Sequence, residues 1–331
     1  MEYIFDLDVQ FSDVLEIFRK QGISRMQSLF RLIAIFAMAI GAVLLIAGCS
    51  THNSQIDNGQ IVTSTSELFP VTITDSNGVD LVFDNPPERI VVFDAAALEI
   101  LFAIGEEGRI IATHSFVSYP PEADNIFRVG DAFNMDIEAI IALEPDLVFI
   151  FAPTFLEQLR NAGLKVLYLQ TLEQDFEKTT ENIRMWGLIT GNMSDAEIVA
   201  SDFETRVKDI KQIFSTYPTT HKAFQDVGGF WTPGSDTLMG EVFTLLKLRN
   251  VAHDISGYSQ ISPEVIVQRD PEIIMTVNTQ LYLNNPAFRD LFAVKNERVI
   301  EFDPTLLSVA GPRFVDGLEN LAKLIYPELF N

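Results

Sequence analysis

Residues 137–150 read IEAIIALEPDLVFI, and residues 263–276 read PEVIVQRDPEIIMT. Each stretch contains a glutamate, an apolar helical segment, an acidic-Pro-acidic turn and an apolar strand, in that order. The glutamate lies seven residues before the proline in both stretches. A supersecondary unit that recurs in this way predicts two lobes of one architecture.

Short apolar strands alternate with helical stretches through the first half of the chain. The predicted strands are RIVVF (89–93), RIIAT (109–113), DLVFIF (146–151) and KVLYL (165–169). Such strands, separated by helices, are typical of a parallel sheet covered on both faces. We therefore expect an α/β fold: two Rossmann-like lobes with parallel sheets and a ligand cleft between them. The Asn77–Gly78 pair predicts a β-hairpin ahead of the first lobe.

A long helical pattern occupies residues 194–217, with Ser194 as the predicted N-cap and Pro218 as the stop. About 22 residues of helix would extend roughly 33 Å. A helix of this length indicates a rod between two lobes. The predicted organisation is an N-terminal lobe at 70–193, the linking helix, and a C-terminal lobe at 218–331.

The only cysteine of the chain, Cys49, stands behind an apolar run and before a polar one. Residues 32–48 carry no charge and follow Arg31, which is the pattern of a secretory signal. The residues LIAGC at 45–49 resemble a lipobox, so we expect a lipoprotein signal peptide at 26–48 and a lipid on Cys49. A single-pass anchor is the alternative, because 17 apolar residues are at the short end of what spans a bilayer.

Either arrangement places the folded part outside the cytoplasmic membrane, anchored to its outer face or in the periplasm. Residues 49–69 are rich in Ser, Thr and Asn and are predicted to form a flexible tether. Residues 1–25 are acidic, whereas a signal begins with a short basic segment. A translation start at Met26 would explain this difference, and a translated N-terminal extension is the alternative.

The composition excludes several classes of function. The formal net charge is −23, which argues against nucleic acid as a partner because such binding depends on Lys and Arg contacts to phosphate. A hydrophobic content of 47% with 26 Phe supplies a large core, so the bulk of the chain is not disordered. With one cysteine, the exported fold must be held by packing rather than by disulfides.

Catalytic and metal-binding signatures are absent from the sequence. There is no G-x-S-x-G, G-x-G-x-x-G or G-x-x-x-x-G-K motif, and the chain contains four histidines, of which His52 lies in the predicted tether. Only His114 and His253 fall in or beside the predicted cleft loops, whereas importers of bare metal use several histidines with carboxylates. We expect no enzyme, no cofactor and no bound metal.

Several stretches together resemble a known family. They are PERIVV (87–92), LEILFAIG (98–105), YPP (119–121), IEAIIALEPDLV (137–148), ISPE (261–264) and GPRFVDGLE (311–319). Their order and spacing resemble the substrate-binding proteins of ABC importers for ferric siderophores and vitamin B12, the class III periplasmic binding proteins with a helical backbone. The resemblance implies two α/β lobes joined by one long helix, and delivery of a captured small molecule to an ABC permease and its ATPase.

The resemblance also implies a docking role for Glu138 and Glu264. In that family, one glutamate on each lobe pairs with arginines of the permease, and these two residues match the positions. A carboxylate near the start of a short helix is also mildly favoured by the helix dipole, which would explain either residue alone. The dipole does not explain why the same offset to an acidic-Pro turn recurs in both halves.

The loops beyond the strands are expected to form the ligand cleft. Eight loops contain nine aromatic residues, five aspartates and no Lys or Arg. The family resemblance places Phe116, Phe151 and Tyr258 at aromatic ligand contacts, and Phe133 stands beside Ala132, where the corrinoid binders have a large aromatic. The remaining candidate ligand-binding residues, taken from loop position, are Tyr119, Trp231, Tyr282 and, at the cleft edge, Arg313.

Aromatic walls without cations favour a large, nearly neutral ligand. Among the ligands of the family, this favours a corrinoid such as vitamin B12, followed by a neutral or cationic ferric hydroxamate siderophore. The alternatives are a haem- or bare-metal-binding importer component and a tethered sensor module. The expected partners are the permease, the metal chelate and, through the lipid anchor, the membrane, with the protein itself a monomer.

Overall fold

The computed structural model describes residues 68–330, except 132–133, 172–174 and 219–220. The signal, Cys49 and nearly all of the tether lie outside the described residues, so their predictions are not tested. The fold opens with an antiparallel hairpin of strands β1 (Val71–Thr74) and β2 (Asp80–Phe83), as the Asn77–Gly78 pair predicted. No helix in the described part of the chain is long and apolar enough to cross a membrane.

The N-terminal lobe contains a five-stranded parallel sheet. Its strands are β3 (Ile90–Phe93), β4 (Ile110–Thr113), β5 (Phe127–Arg128), β6 (Leu147–Ile150) and β7 (Val166–Tyr168). They are arranged in the order β5-β4-β3-β6-β7. The helices of this lobe are α1 (Ala95–Ala103), α2 (Ile137–Ala142), α3 (Leu156–Asn161) and α4 (Phe176–Thr190). The four strands predicted from the sequence are therefore confirmed.

The linking helix α5 spans Met193–Phe214 and confirms the predicted rod, with two corrections. Asn192, not Ser194, is the N-cap, because its side chain accepts a hydrogen bond from Asp195 N. The spacing of apolar residues along this helix predicts Ile198 on its buried face, but Ile198 is 64% exposed, whereas Ala196 and Ala200 are buried. Small side chains occupy this part of the buried face, where α5 packs closely against α4.

The C-terminal lobe contains a four-stranded parallel sheet in the order β10-β8-β12-β13, formed by β8 (His221–Asp226), β10 (Leu248–Asn250), β12 (Ile273–Thr276) and β13 (Val299–Glu301). Strands β9 (Trp231–Pro233) and β11 (Tyr258–Gln260) form a separate antiparallel pair. The helices are α6 (Leu238–Leu245), α7 (Pro263–Arg269), α8 (Thr279–Leu283), α9 (Phe292–Lys295) and α10 (Phe314–Ile325).

Both sheets are buried on two faces, as continuous apolar strands require. In β3, Ile90 and Val92 belong to one core cluster, and Val91 and Phe93 belong to another. In β12, Ile273 and Ile274 likewise enter different clusters. The pleat sends successive side chains to opposite faces, so each lobe has a core on either side of its sheet.

The sequence repeat corresponds to a repeated structural unit. Helix α2 leads into β6, which pairs with β3, and helix α7 leads into β12, which pairs with β8. The two stretches thus occupy equivalent places beside the first strand of each lobe's sheet. The prediction of two lobes with the same architecture is confirmed.

Candidate functional site

Four neighbouring strands of the N-terminal sheet each contribute a side chain to one cleft. Asp94, His114 and Phe151 come directly after β3, β4 and β6, and Thr171 comes three residues after β7. The carboxyl ends of parallel strands meet at one edge of a sheet, where ligands of open α/β folds bind. Together these residues line a pocket of about 220 Å³.

Asp94 organises this edge. Its carboxylate accepts a hydrogen bond of 2.7 Å from Ala97 N, which caps helix α1, and one of 2.6 Å from Thr171 Oγ1. Asp94 is buried, and both of its oxygens have partners. The carboxylate therefore fixes the loop after β7 to the start of α1, so Thr171 is held in the cleft.

His114 presents a defined donor to the cleft. Phe116 N donates to His114 Nδ1 over 3.2 Å, so the neutral imidazole carries its proton on Nε2. Burial lowers the pKa of His114, although the negative charge of Asp94 opposes this effect. The ring is thus a neutral hydrogen-bond donor at physiological pH, suited to an acceptor on a ligand.

The C-terminal lobe completes the cleft with three segments. A pocket of about 340 Å³ is lined by residues 236–238, by residues 256–258, and by Leu307, Ser308 and Ala310. Thr171, Ser308 and Ala310 line both this pocket and the one in the N-terminal lobe. The two pockets are therefore neighbouring parts of one cleft between the lobes.

A tight backbone contact holds the loop that carries Tyr258. Gly234 N donates to Gly257 O over 2.7 Å, and a Cβ on Gly234 would lie only 1.9 Å from Ile255 O. Asp236 accepts hydrogen bonds from Ser256 Oγ and Gly257 N, and the bond from Ser256 lowers the pKa of Asp236. Only glycine permits this approach, which fixes the cleft wall next to Tyr258.

Two exposed aromatic residues, Phe116 and Trp231, do not line either pocket but lie next to cleft residues. Trp231 lies opposite Gln260, and Tyr258 lies opposite Pro233, so Trp231 and Tyr258 are diagonal neighbours on one face of the β9–β11 pair. Each is 47% exposed. Phe116 is 72% exposed, and its ring centroid lies 6.5 Å from that of His114. These rings offer apolar area next to the cleft lining.

The cleft lining carries no positive charge among the described residues. Its ionisable members are Asp94, Asp236, the neutral His114 and Tyr258. The remaining lining residues are apolar or uncharged. The arrangement can bury an apolar ligand and offer it hydrogen bonds, but it supplies no cation to neutralise an anion.

The structure separates three of the predicted ligand-binding residues from this cleft. Tyr119 and Arg313 line a different pocket, of about 600 Å³, and Arg313 Nε donates to Glu99 Oε1 over 2.8 Å. Tyr282 is fully buried in the C-terminal core, where its ring stacks on Phe288. Tyr282 is predicted in a cleft loop, but it lies in the short helix α8, which turns its ring into the core. For Tyr119 and Arg313, a position in a loop does not determine where the side chain points. Phe133 lies outside the described residues. Phe151 and Tyr258 line the cleft, and their contact with a ligand stays a prediction.

The sequence reasoning missed Asp94, His114 and Thr171 as cleft residues. Asp94 and His114 belong to predicted cleft loops, but the sequence does not distinguish them from other polar loop residues. Thr171 follows a strand whose loop the prediction does not assign to the cleft. The signal was present, because KVLYL was predicted as a strand of the same sheet and its carboxyl end must lie at the same edge.

Glu138 and Glu264 are both exposed at the start of a short helix. Each is the second residue of its helix, α2 and α7. A hydrogen bond with the Ser262 side chain lowers the pKa of Glu264, so this carboxyl is ionised at neutral pH. Both side chains are free to meet a partner at the surface of their lobes.

Two sheet-based lobes, a linking helix and an interlobe cleft define a substrate-binding protein. The family model described as periplasmic binding protein matches residues 90–306, and the chain belongs to this family. The uncharacterized ABC transporter substrate-binding lipoprotein YvrC of Bacillus subtilis is 30% identical over 310 residues, covering 89% of this chain and 98% of the relative. The protein is a substrate-binding component of ABC import and not an enzyme.

Two further relatives have names that state a ligand. The cobalamin-binding protein of Halobacterium salinarum is 25% identical over 278 residues, covering 78% of this chain and 74% of that protein. The crystal structure of the periplasmic vitamin B12 binding protein BtuF of Vibrio cholerae superimposes with a TM-score of 0.66 at 25% identity, covering 73% of this chain and 98% of that one.

Proposed function

We propose that the protein captures a corrinoid in the interlobe cleft and delivers it to an ABC permease, while the lipid on Cys49 holds it at the outer face of the cytoplasmic membrane. A neutral ferric hydroxamate siderophore is the second candidate ligand. The observation that carries the proposal is the chemistry of the cleft: aromatic and neutral polar side chains, two carboxylates, and no Lys or Arg among the described lining residues.

The ligand must be nearly neutral to suit this lining. Burying an anion without a cation costs several kcal/mol, which argues against ferric catecholates and hydroxycarboxylates. A corrinoid has many amide groups, whose carbonyls can accept from His114 Nε2 and whose amino groups can donate to Asp94 or Asp236. It is also larger than either pocket, so its outer parts would extend toward Phe116 and Trp231.

The same chemistry distinguishes a corrinoid from haem. Haem propionates are anionic and would find no cation in the described cleft. His114 uses Nδ1 to accept the bond from Phe116 N, so Nε2 carries the ring proton and has no lone pair free for iron. Two relatives whose names state cobalamin or vitamin B12 binding support the corrinoid proposal.

Delivery is proposed to depend on the two exposed glutamates. Glu138 and Glu264 present carboxylates from matching helices, one on each lobe. A permease with two arginine clusters at the same spacing would engage both lobes at once, and charge complementarity of this kind fixes the orientation of docking. The cleft would then face the translocation pathway.

Calorimetric titration tests the ligand. The purified protein is titrated with cyanocobalamin, a neutral ferric hydroxamate, haem and an anionic ferric catecholate, each at low and high salt. We expect cyanocobalamin to bind with little dependence on salt, because salt screens mainly exposed charge pairs. Tight binding of the catecholate that weakens steeply with salt, without binding of cyanocobalamin, would overturn the corrinoid assignment.

His114→Gln and His114→Phe separate hydrogen bonding from packing. Gln keeps a donor in the cleft, whereas Phe keeps a ring of similar size without one. We expect Phe to weaken cyanocobalamin binding more than Gln does, by about 1 to 3 kcal/mol relative to wild type if the ligand acceptor is left unpaired. Equal affinities for both variants and wild type would remove His114 from the proposed site.

A further inference from the structure

One ion pair joins the two lobes close to the cleft residues along the chain. Glu99 lies on α1 of the N-terminal lobe, and Arg313 precedes α10 of the C-terminal lobe, 214 residues later. Arg313 Nε donates to Glu99 Oε1 over 2.8 Å. The side chains are only 14% and 3% exposed, so both charged groups are largely removed from water.

Tyr119 and Gly311 pack directly against the ion pair. The guanidinium of Arg313 lies over the ring of Tyr119, 4.1 Å from its centroid. A Cβ on Gly311 would lie 2.7 Å from Glu99 Oε2, so the chain of the C-terminal lobe passes directly against the carboxyl group. Oε2 is buried and has no hydrogen-bond partner among the residues that the structure describes. Glu99 therefore depends on Arg313 for the polar contact that its buried carboxyl group makes.

Glu99 and Arg313 each lie three residues after a residue that lines the cleft. Asp94, Ala95 and Ala96 line the cleft, and Glu99 follows on the next turn of the same helix. Ser308, Val309 and Ala310 line it from the other lobe, and Arg313 follows three residues later. Contact between Glu99 and Arg313 therefore sets the distance between these two groups of cleft residues.

Other contacts between the lobes do not duplicate this one. Phe176 N, at the start of α4, donates to Glu241 Oε2 of α6 over 3.0 Å. The rings of Phe176 and Phe314 meet edge to face at 6.1 Å. These contacts involve α4, α6 and the first residue of α10, whereas the Glu99–Arg313 pair connects α1 to the segment that supplies Ser308 to Ala310.

We infer that Glu99 and Arg313 are positioning residues of the ligand cleft. They hold the segment 308–310 against the start of α1, so that the two halves of the cleft are aligned before a ligand arrives. Neither residue needs to touch the ligand. The inference rests on the proposed function only in taking this cleft as the binding site, and the alignment itself can be measured without any ligand.

The test is the distance between the lobes in the ligand-free protein. Spin labels are attached to Asn161→Cys and Asn296→Cys, two exposed positions in different lobes, in a Cys49→Ser background. Double electron–electron resonance then gives the distribution of distances between the two labels in wild type, Arg313→Met, Arg313→Lys and Glu99→Gln. Asp254→Asn is the matched control, because it removes a carboxylate that pairs with Arg269 inside the C-terminal lobe.

We expect a narrow distribution in wild type and in Asp254→Asn, and a broader one in Arg313→Met. Arg313→Lys keeps the positive charge and should recover most of the narrow distribution, and Glu99→Gln should broaden it in the same direction but less. If about a tenth of Arg313→Met molecules keep the aligned cleft, the apparent Kd for cyanocobalamin rises about tenfold.

Identical distributions in wild type, Arg313→Met and Glu99→Gln would overturn the inference, as would equal broadening in Asp254→Asn. If Arg313→Met fails to fold, Glu99→Gln and Arg313→Lys decide the matter in the same way. If the wild type does not bind cyanocobalamin, but the distance distribution still broadens in Arg313→Met and Glu99→Gln, the corrinoid proposal is refuted and the positioning role is supported.

Discussion

Glu138 and Glu264 occupy the same position in two equivalent helix–strand units, one in each lobe. Each is the second residue of a short helix, and each helix leads into the strand that pairs with the first strand of its lobe's sheet. Both carboxylates are exposed. The dipole of a helix end favours each carboxylate but does not require the match between lobes.

The first prediction concerns docking. Replacing both residues, Glu138→Ala with Glu264→Ala, should slow uptake of the ligand into cells and leave the affinity for cyanocobalamin unchanged. Each lost pair is expected to weaken the complex with the permease by about 2 to 5 kcal/mol if the pair is buried at the interface. Uptake assays and calorimetry on the same double variant measure the two effects separately.

Glu157→Ala provides the matched control for docking. Glu157 is also an exposed glutamate in the first turn of a short helix, α3, but has no counterpart in the repeated unit. Uptake by this variant should equal that of wild type. Normal uptake by the Glu138 and Glu264 double variant would contradict the docking role.

The second prediction concerns the lipid anchor. Cys49→Ser should abolish lipid attachment and release the protein from the membrane without changing the stability of the folded part. Labelling of cells with a radioactive fatty acid, followed by membrane fractionation, measures both effects. Ser50→Ala is the control and should keep the label, whereas equal labelling of wild type and Cys49→Ser would exclude this site.

The third prediction concerns the aromatic wall. Trp231 is 47% exposed on the face that also carries Tyr258, so Trp231→Ala should weaken cyanocobalamin binding by about 1 to 3 kcal/mol through lost ring contact. Trp186→Phe is the control, because Trp186 is buried against Phe149 in the N-terminal lobe. It should lower stability and keep the affinity. Unchanged binding by Trp231→Ala would place the ligand elsewhere.

The fourth prediction assigns Tyr282 to stability. Its hydroxyl donates to Asp226 Oδ2 over 2.8 Å, and burial, with the nearby Asp226 charge, raises the pKa of Tyr282 far above its ordinary value. Tyr282→Phe leaves that buried carboxylate oxygen without its donor and should reduce the free energy of unfolding by about 1 to 3 kcal/mol. Urea unfolding measures the free energy of unfolding, and calorimetry measures the affinity for cyanocobalamin. Weaker ligand binding at unchanged stability would contradict this assignment and show that Tyr282 contributes to ligand binding.

The fifth prediction concerns the pH dependence of stability. Burial raises the pKa of Glu99 to about 7 from an ordinary value of 4.5, although Arg313 opposes the rise and Asp94 adds to it. The folded protein therefore holds this proton more tightly than the unfolded chain does. The resulting stabilisation is complete below about pH 4.5, falls as the pH rises and is lost above about pH 7.

A rise of this size corresponds to about 3 kcal/mol. Glu99→Gln cannot lose a proton, so its stability relative to wild type should increase by about this amount between about pH 5 and about pH 8. Urea unfolding of both proteins across this range gives the difference. Parallel pH curves for wild type and variant would show that Glu99 does not titrate in this interval.

Local patterns in the sequence were enough to predict the architecture. Apolar strands of five or six residues, helix stops and the repeated helix–turn–strand unit depend on neighbours along the chain, so they can be recognised without a structure. The repeat also predicted which strands are equivalent in the two lobes, and the aromatic, cation-poor loops predicted the character of the cleft. Phe151 and Tyr258 belong to its lining, and their contact with a ligand stays a prediction.

The tertiary structure alone decided which polar and aromatic side chains face the cleft. Thr171 enters it because it bonds to Asp94, 77 residues away, and Tyr282 leaves it because it bonds to Asp226, 56 residues away. Arg313 pairs with a carboxyl group 214 residues earlier. Periodicity predicts which face of a strand or helix is buried, but the direction of a loop side chain depends on the partner that satisfies it, and that partner is fixed only when distant segments pack together.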